Sequence, residues 1–173
     1  MIWKFSRQPA HEMAVLIVCL GNICRSPTAE AVLRHKLAEA GLDKRVRVDS
    51  AGISSVRGSA PDARATAAAL QRGYATAKLR ARDLVAEDFE AFDLLLAMDL
   101  DNMASLRARC PADQLGRLEL FSASLSGGPR EVPDPYYGPV EGFDVVLDLI
   151  EPACDAWVER LRIRLDAAKL VES

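Results

Sequence analysis

Residues Met13 to Leu37 read M-A-V-L-I-V-C-L-G-N-I-C-R-S-P-T-A-E-A-V-L-R-H-K-L, and this stretch leaves the chain few ways to fold. The run Ala14 to Val18 is apolar, largely β-branched and too short for a helix, so it reads as a strand buried on both faces. It stops at Cys19. Gly21 and Asn22 follow, residue types that tolerate left-handed backbone angles, so the chain can curl back on itself. Past Arg25, Ser26 reads as a helix N-cap, Pro27 as the first helical residue, and Glu30 as a first-turn charge favoured by the helix dipole. The predicted path is strand, tight loop, helix start.

That path has a chemical consequence. Backbone N–H groups of the loop and of the helix start converge on one concavity, an anion nest. Cys19 stands at one rim and Arg25 at the other, with five residues between them. A tetrahedral dianion would meet a sulfur from below, amides from the sides, and a guanidinium fork able to hold two oxygens. The same field favours a thiolate, and it stabilises charge that develops in a phosphoryl-transfer transition state. A C-x5-R spacing alone is equally compatible with a core cysteine and a surface arginine; the apolar strand before it and the Ser-Pro helix start after it favour the chemical reading.

The remaining elements alternate. Helix Pro27 to Ala40 is stopped by Gly41, and Val46, Val48 and Ser50 alternate with Arg47 and Asp49 to give a second strand ending in D-S-A-G. Ile53 to Pro61 is a loop. Asp62 caps a helix from Ala63 to Arg72, and Lys78, Arg80 and Arg82 read as a solvated basic connection or as a contact for an acidic phosphopeptide. Ala86 to Phe92 is a short amphipathic helix, Leu94 to Met98 a third buried strand, and Asp99, Asp101 and Asn102 cap the helix that ends near Arg109 to Pro111. Leu118, Leu120 and Phe121 suggest a fourth strand, Ser122 to Glu131 a polar loop, and Phe143 to about Leu170 a final helix carrying Pro152. His35 belongs on a helix surface, Cys154 in the core and Cys110 at a helix end. The pattern predicts an α/β fold: a three-layer α/β/α arrangement around a parallel sheet, with ligands beyond the carboxyl ends of its strands.

Composition narrows the class. At 173 residues with half of them apolar, the chain has the size of one domain with a substantial core. A net charge of -3 argues against a nucleic-acid partner, no apolar run is long enough to span a membrane, and Met1 to Glu12 lacks the apolar centre of a secretory signal. Residues 1–12 read as a flexible N-terminal extension in which His11 is inert, and 13–173 as a single domain. Cys19, Cys24, Cys110 and Cys154 have neither zinc-type spacing nor the density of a disulfide framework, so a reduced, cytoplasmic setting is expected.

Val132 to Gly138, V-P-D-P-Y-Y-G, is the second informative stretch. Two prolines stiffen the backbone around Asp134 and hold its carboxyl at a set distance, while Tyr136 and Tyr137 offer rings to line a pocket. Taken with V-C-L-G-N-I-C-R-S-P-T-A-E, it resembles the acid loop and phosphate loop of the low-molecular-weight protein tyrosine phosphatases, over Met13 to about Leu161.

The resemblance implies a four-stranded parallel sheet in a flavodoxin-like layout, and a phosphatase acting on phosphotyrosine in proteins through a cysteinyl-phosphate. It implies Cys19, Arg25 and Asp134 as catalytic groups and Leu20, Gly21, Asn22, Ile23, Cys24, Arg25 and Ser26 as the phosphate-binding loop. Ser26 and Ser50 support that loop, with Ser50 bonded to Asn22, and Val56, Tyr136 and Tyr137 line the substrate pocket. No metal and no cofactor are implied, and the partners are a phosphotyrosyl protein and an opposing tyrosine kinase. The chain departs from the family where an aromatic usually packs on the substrate ring: it offers Ser55, Val56 and Arg57. Cys24 is implied as a disulfide partner protecting Cys19, with a purely packing role as the alternative. Two rivals stand beside this reading: a thiol-dependent arsenate reductase, which shares the loop but needs redox cysteines relayed from the first, whereas Cys110 and Cys154 sit in helical contexts without a close pair, and a non-catalytic phosphotyrosine-binding module.

Overall fold

The structure, a computed structural model, describes residues 11–128 and 130–172. Its first strand, β1 (Met13–Cys19), is inner to the sheet and apolar on both faces. The first helix, α1, runs Arg25–Glu39 and leads to β2 (Val46–Gly52). Then come α2 (Ala63–Gln71), the single turn α3 (Asp88–Ala91), β3 (Leu94–Ala97), α4 (Leu100–Arg109), β4 (Leu118–Leu120) and the long α5 (Gly142–Glu172). The sheet is parallel throughout, in the order β2-β1-β3-β4. This is the four-stranded α/β layout expected.

Alternation along β1 assigns its two faces. Val15, Ile17 and Cys19 join a core built with α1 and α5, where Leu33, Ile150 and Trp157 are buried. Ala14, Leu16 and Val18 point the other way, onto Phe89, Met103 and Leu106 of α3 and α4. Cys110 packs at the margin of that second core and Cys154 lies fully inside the first. The chain leaves β1 for β2 on one side and later returns to β3 on the other, so the sequence order reverses at the carboxyl end of β1. Cys19 therefore ends at the switch point of the sheet.

Several local expectations are corrected. The helix begins at Arg25, one residue before Ser26, because the Cys24 carbonyl already accepts from the Thr28 N–H (3.3 Å) and hydroxyl (2.7 Å). Cys24 is thus the N-cap, Ser26 is inside the first turn and is not a cap, and Pro27 sits where its missing N–H would have been unpaired. Glu30 falls outside the first turn and is buried. Arg82 is not solvated: its guanidinium bridges Asp49 (2.9 Å) and Asp88 (3.0 Å). Phe121 begins a 3-10 turn (Phe121–Ser124) and does not extend β4.

Other expectations match. Gly41, at φ 70°, closes α1 while Leu42 N–H returns to the Leu37 carbonyl (2.8 Å), and Asp62 and Asp99 cap α2 and α4 through their carboxylates. Pro152 is accommodated within α5. Residues 1–10 of the expected extension lie outside the described residues; Glu12 is tied to Arg45 at 2.7 Å. No described helix is long and apolar enough to cross a membrane.

Candidate active site

At the carboxyl end of β1 the chain turns through residues 20–24 and enters α1. Asn22 takes the left-handed conformation, φ 54°, which its short polar side chain makes affordable. Its N–H points back at the Cys19 sulfur, 3.3 Å away. The side-chain amide nitrogen donates to the hydroxyls of Ser26 and Ser50, both at 2.9 Å, and the amide oxygen accepts the Arg82 N–H at 3.0 Å. Ser50 in turn donates to Glu30 Oε2 at 2.5 Å. Burial pushes the Glu30 carboxyl above its ordinary range, with the Ser50 hydroxyl and Arg34 pulling the other way.

Ser26 Oγ, which accepts from Asn22, lies 2.9 Å from Cys19 Sγ, within hydrogen-bond reach; were the sulfur a thiolate, the hydroxyl would be the donor of that pair. The Asn22 N–H already points at the sulfur, a donor suited to an anion.

Arg25 is held by its far side. Nη1 donates to Asp99 Oδ2 (2.6 Å) and to the Val132 carbonyl (3.0 Å), while Nη2 reaches Asp134 Oδ2 at only 3.4 Å. The guanidinium is 3% exposed, and a cation this buried is tolerable only when it is paired and hydrogen-bonded. Asp99 does two jobs: one oxygen caps α4 at the Asn102 N–H (2.7 Å), the other fixes Arg25. Sequence reasoning assigned Asp99 only the first. The available signal was its position directly after β3, whose carboxyl end faces the same mouth.

A cavity of about 310 Å³ opens above the sulfur. Cys19, Leu20, Gly21, Ile23, Cys24 and Arg25 form its floor and near wall. Asp134, Tyr136 and Tyr137 close the far side, and Val56 with Ser54, Ser59 and Ala60 the third. Asn22, Ser26 and Ser50 stand behind the loop as braces. Tyr136 and Tyr137 meet edge to face with centroids 4.8 Å apart, Tyr137 being almost fully exposed and Val56 three-quarters so. Burial pushes the Cys24 thiol up to about 12, helped by Asp62 and by Cys19. No cluster of residues able to hold a metal is found among the described residues.

Sheet, loop and cavity together define a parallel α/β protein with a thiol at the floor of a cavity at the sheet's switch point. The model of the low molecular weight phosphotyrosine protein phosphatase family matches residues 14–167. The chain belongs to that family. A Synechocystis protein bearing the family's name, slr0328, is 47% identical over 145 residues, 82% of this chain and 92% of its own. The protein tyrosine phosphatase of Entamoeba histolytica, solved with Hepes in its active site, superposes with TM-score 0.82 at 39% identity, covering 91% of this chain and 99% of that one. The YwlE arginine phosphatase of Geobacillus stearothermophilus superposes at 0.78 with 28% identity, covering 88% and 94%.

Proposed function

We propose that this protein hydrolyses phosphotyrosine in proteins in the cytoplasm, opposing a tyrosine kinase, through a phosphoryl group carried on Cys19. The thiolate attacks phosphorus in line. Arg25 and the loop amides hold the equatorial oxygens, a role for which Asp99 and Val132 pre-orient the guanidinium. Protonated Asp134 gives its proton to the departing tyrosyl oxygen as the P–O bond breaks. Water then attacks the cysteinyl-phosphate, Asp134 takes the proton, and the Ser26 hydroxyl stabilises the sulfur as the S–P bond breaks. Thiolate and acid return to their starting states and phosphate is released, with no metal in any step.

The observation that carries this reading is the line of hydrogen bonds from Arg82 N–H through Asn22 and Ser26 to the sulfur, at the floor of the cavity that Asp134 faces. Tyrosine suits the walls: Leu20, Val56, Tyr136 and Tyr137 are apolar or aromatic, and Asp134 is the one carboxylate lining the cavity among the described residues. A phosphorylated guanidine, the substrate class in the Geobacillus relative's name, would find little to meet its charge. An arsenate relay is disfavoured because Cys154 is sealed in the core, its thiol held in the neutral form by burial, and Cys110 sits across the sheet. A mere binding module has no use for a sulfur and an acid facing one cavity.

Rapid-quench mass spectrometry with an aryl phosphate tests the chemistry. Wild type should accumulate a phosphoryl group on Cys19, Cys19→Ser should carry none and lose turnover, and Asp134→Asn should slow the first step by about 10²–10⁴-fold. Wild-type hydrolysis by Cys19→Ser would overturn the proposal.

A further inference from the structure

The loop that carries Asp134 is clamped at both ends, and the two clamps differ in what substrate does to them. At the Val132 end, the N–H donates to the Met98 carbonyl (2.8 Å) and the carbonyl accepts from Arg25 (3.0 Å). Asp134 itself touches Arg25 Nη2 only loosely, at 3.4 Å. A bound phosphate claims that nitrogen, and a protonated Asp134 offers no charge to pair with it. The carboxyl then keeps one local partner, the Tyr136 N–H at 3.1 Å. Whatever holds Tyr136 therefore aims Asp134.

Arg64, at the start of α2, holds Tyr136. Its Nη2 donates to the Tyr136 carbonyl at 3.2 Å, and its guanidinium lies 5.4 Å from the Tyr136 ring centroid and 4.7 Å from that of Phe143, in the first turn of α5. The fork is pinned by Asp62, which accepts Nε at 3.1 Å and Nη2 at 2.9 Å. Asp62 is fastened in turn to the phosphate loop, its N–H donating to the Ile23 carbonyl at 2.7 Å. A continuous strut thus runs from Ile23 through Asp62 and Arg64 to Tyr136 and Asp134, bypassing the phosphate.

We propose that Arg64 is a positioning residue that registers the Asp134 loop against the phosphate loop, keeping the acid aimed at the leaving oxygen while Arg25 is engaged by the phosphoryl group. The inference rests on Asp134 being the general acid. A planar fork bonded to Asp62 and to a carbonyl at once is not replaced by an ammonium, so Arg64→Lys fails along with Arg64→Ala. Misplacing the acid by about an ångström is enough for losses approaching 100-fold where the proton is needed.

The test compares kcat/KM for p-nitrophenyl phosphate, whose leaving group departs without a proton, and phenyl phosphate, whose leaving group needs one. Asp134→Asn serves as reference, and thermal unfolding of every variant is recorded. Arg64→Ala and Arg64→Lys should lose about tenfold more on phenyl phosphate than on p-nitrophenyl phosphate, in the sense of Asp134→Asn but smaller. Equal losses on the two esters, or no loss, would overturn the proposal, because a purely structural or binding role moves both alike. Should Asp134→Asn itself lose equally on both, the acid assignment falls first, and the strut loses its object.

Discussion

Asn22 does three jobs with one residue: its backbone bends the loop, its N–H meets the sulfur, and its amide ties the hydroxyls of Ser26 and Ser50 behind the loop. Cys24, two residues on, works differently. Its thiol sits at the cavity wall, pushed up to about 12 by burial, so it is almost wholly protonated at neutral pH. Under mild peroxide, a sulfenic acid on Cys19 would be attacked by the Cys24 thiolate, the S–S bond forming as the S–O bond breaks and hydroxide leaves to take a proton from solvent. Because the thiolate fraction of a group titrating so high rises about tenfold per pH unit, disulfide closure should speed up by about that factor between pH 7 and 8. Mass spectrometry of quenched peroxide reactions measures this. A pH-independent closure rate, or a Cys24→Ser chain protected as well as wild type, would leave Cys24 as a packing residue.

At the scale of elements, the joint between β1 and β2 shapes the loop of residues 20–24. The two strands pair to their ends, Cys19 beside Gly52, and the ladder continues past them as Ile53 and Ser54 donate to the carbonyls of Cys19 and Leu20 at 3.0 and 2.9 Å. The other side of Gly52 is paired too, with Arg82 and Leu84. A side chain at Gly52 would come within 2.8 Å of the Leu20 carbonyl oxygen and 3.1 Å of the Gly21 carbonyl carbon, backbone atoms that cannot swing aside. Gly52→Ala should cost about 1–3 kcal/mol in urea unfolding and weaken inhibition by inorganic phosphate, because the displaced atoms belong to the loop itself. Unchanged phosphate affinity would mean the loop is set by α1 alone. The glycine of D-S-A-G thus has a steric reason, where the sequence showed only a strand running into a turn.

For the whole molecule, a small set of long-range contacts converts a sheet into a site. An anion bound only by the folded state stabilises it by RT ln(1 + [L]/Kd), about 2.7 kcal/mol at a hundredfold excess over Kd, or roughly 5–10 °C in Tm for a chain of this size. Inorganic phosphate should therefore raise the Tm of the wild type by about that amount and leave Arg25→Ala almost unmoved; an equal rise in both would place the anion elsewhere. The strand, the loop and the segment that carries Asp134 are legible in the sequence because each is written in neighbouring residues: the apolar run before Cys19, the Gly-Asn bend, the prolines around Asp134. Misreadings arose where a neighbour's partner lies far along the chain. Arg82 looked solvated and bridges two carboxylates, one of them 33 residues away, and Asp99 looked like a cap and also grips Arg25, 74 residues away.

The sequence by itself determined that a thiol would end a buried strand beneath a helix start, with an arginine in the connecting stretch, since backbone preference and apolar pattern act over a few residues; that the arginine belongs to the helix's first turn it did not show. It also determined that a stiffened carboxyl would exist. Only the tertiary structure decided that Arg25 would be gripped by Asp99, 74 residues away, and would face Asp134, 109 residues away. Such contacts depend on which strands lie side by side and where their ends open, and no local propensity carries that information.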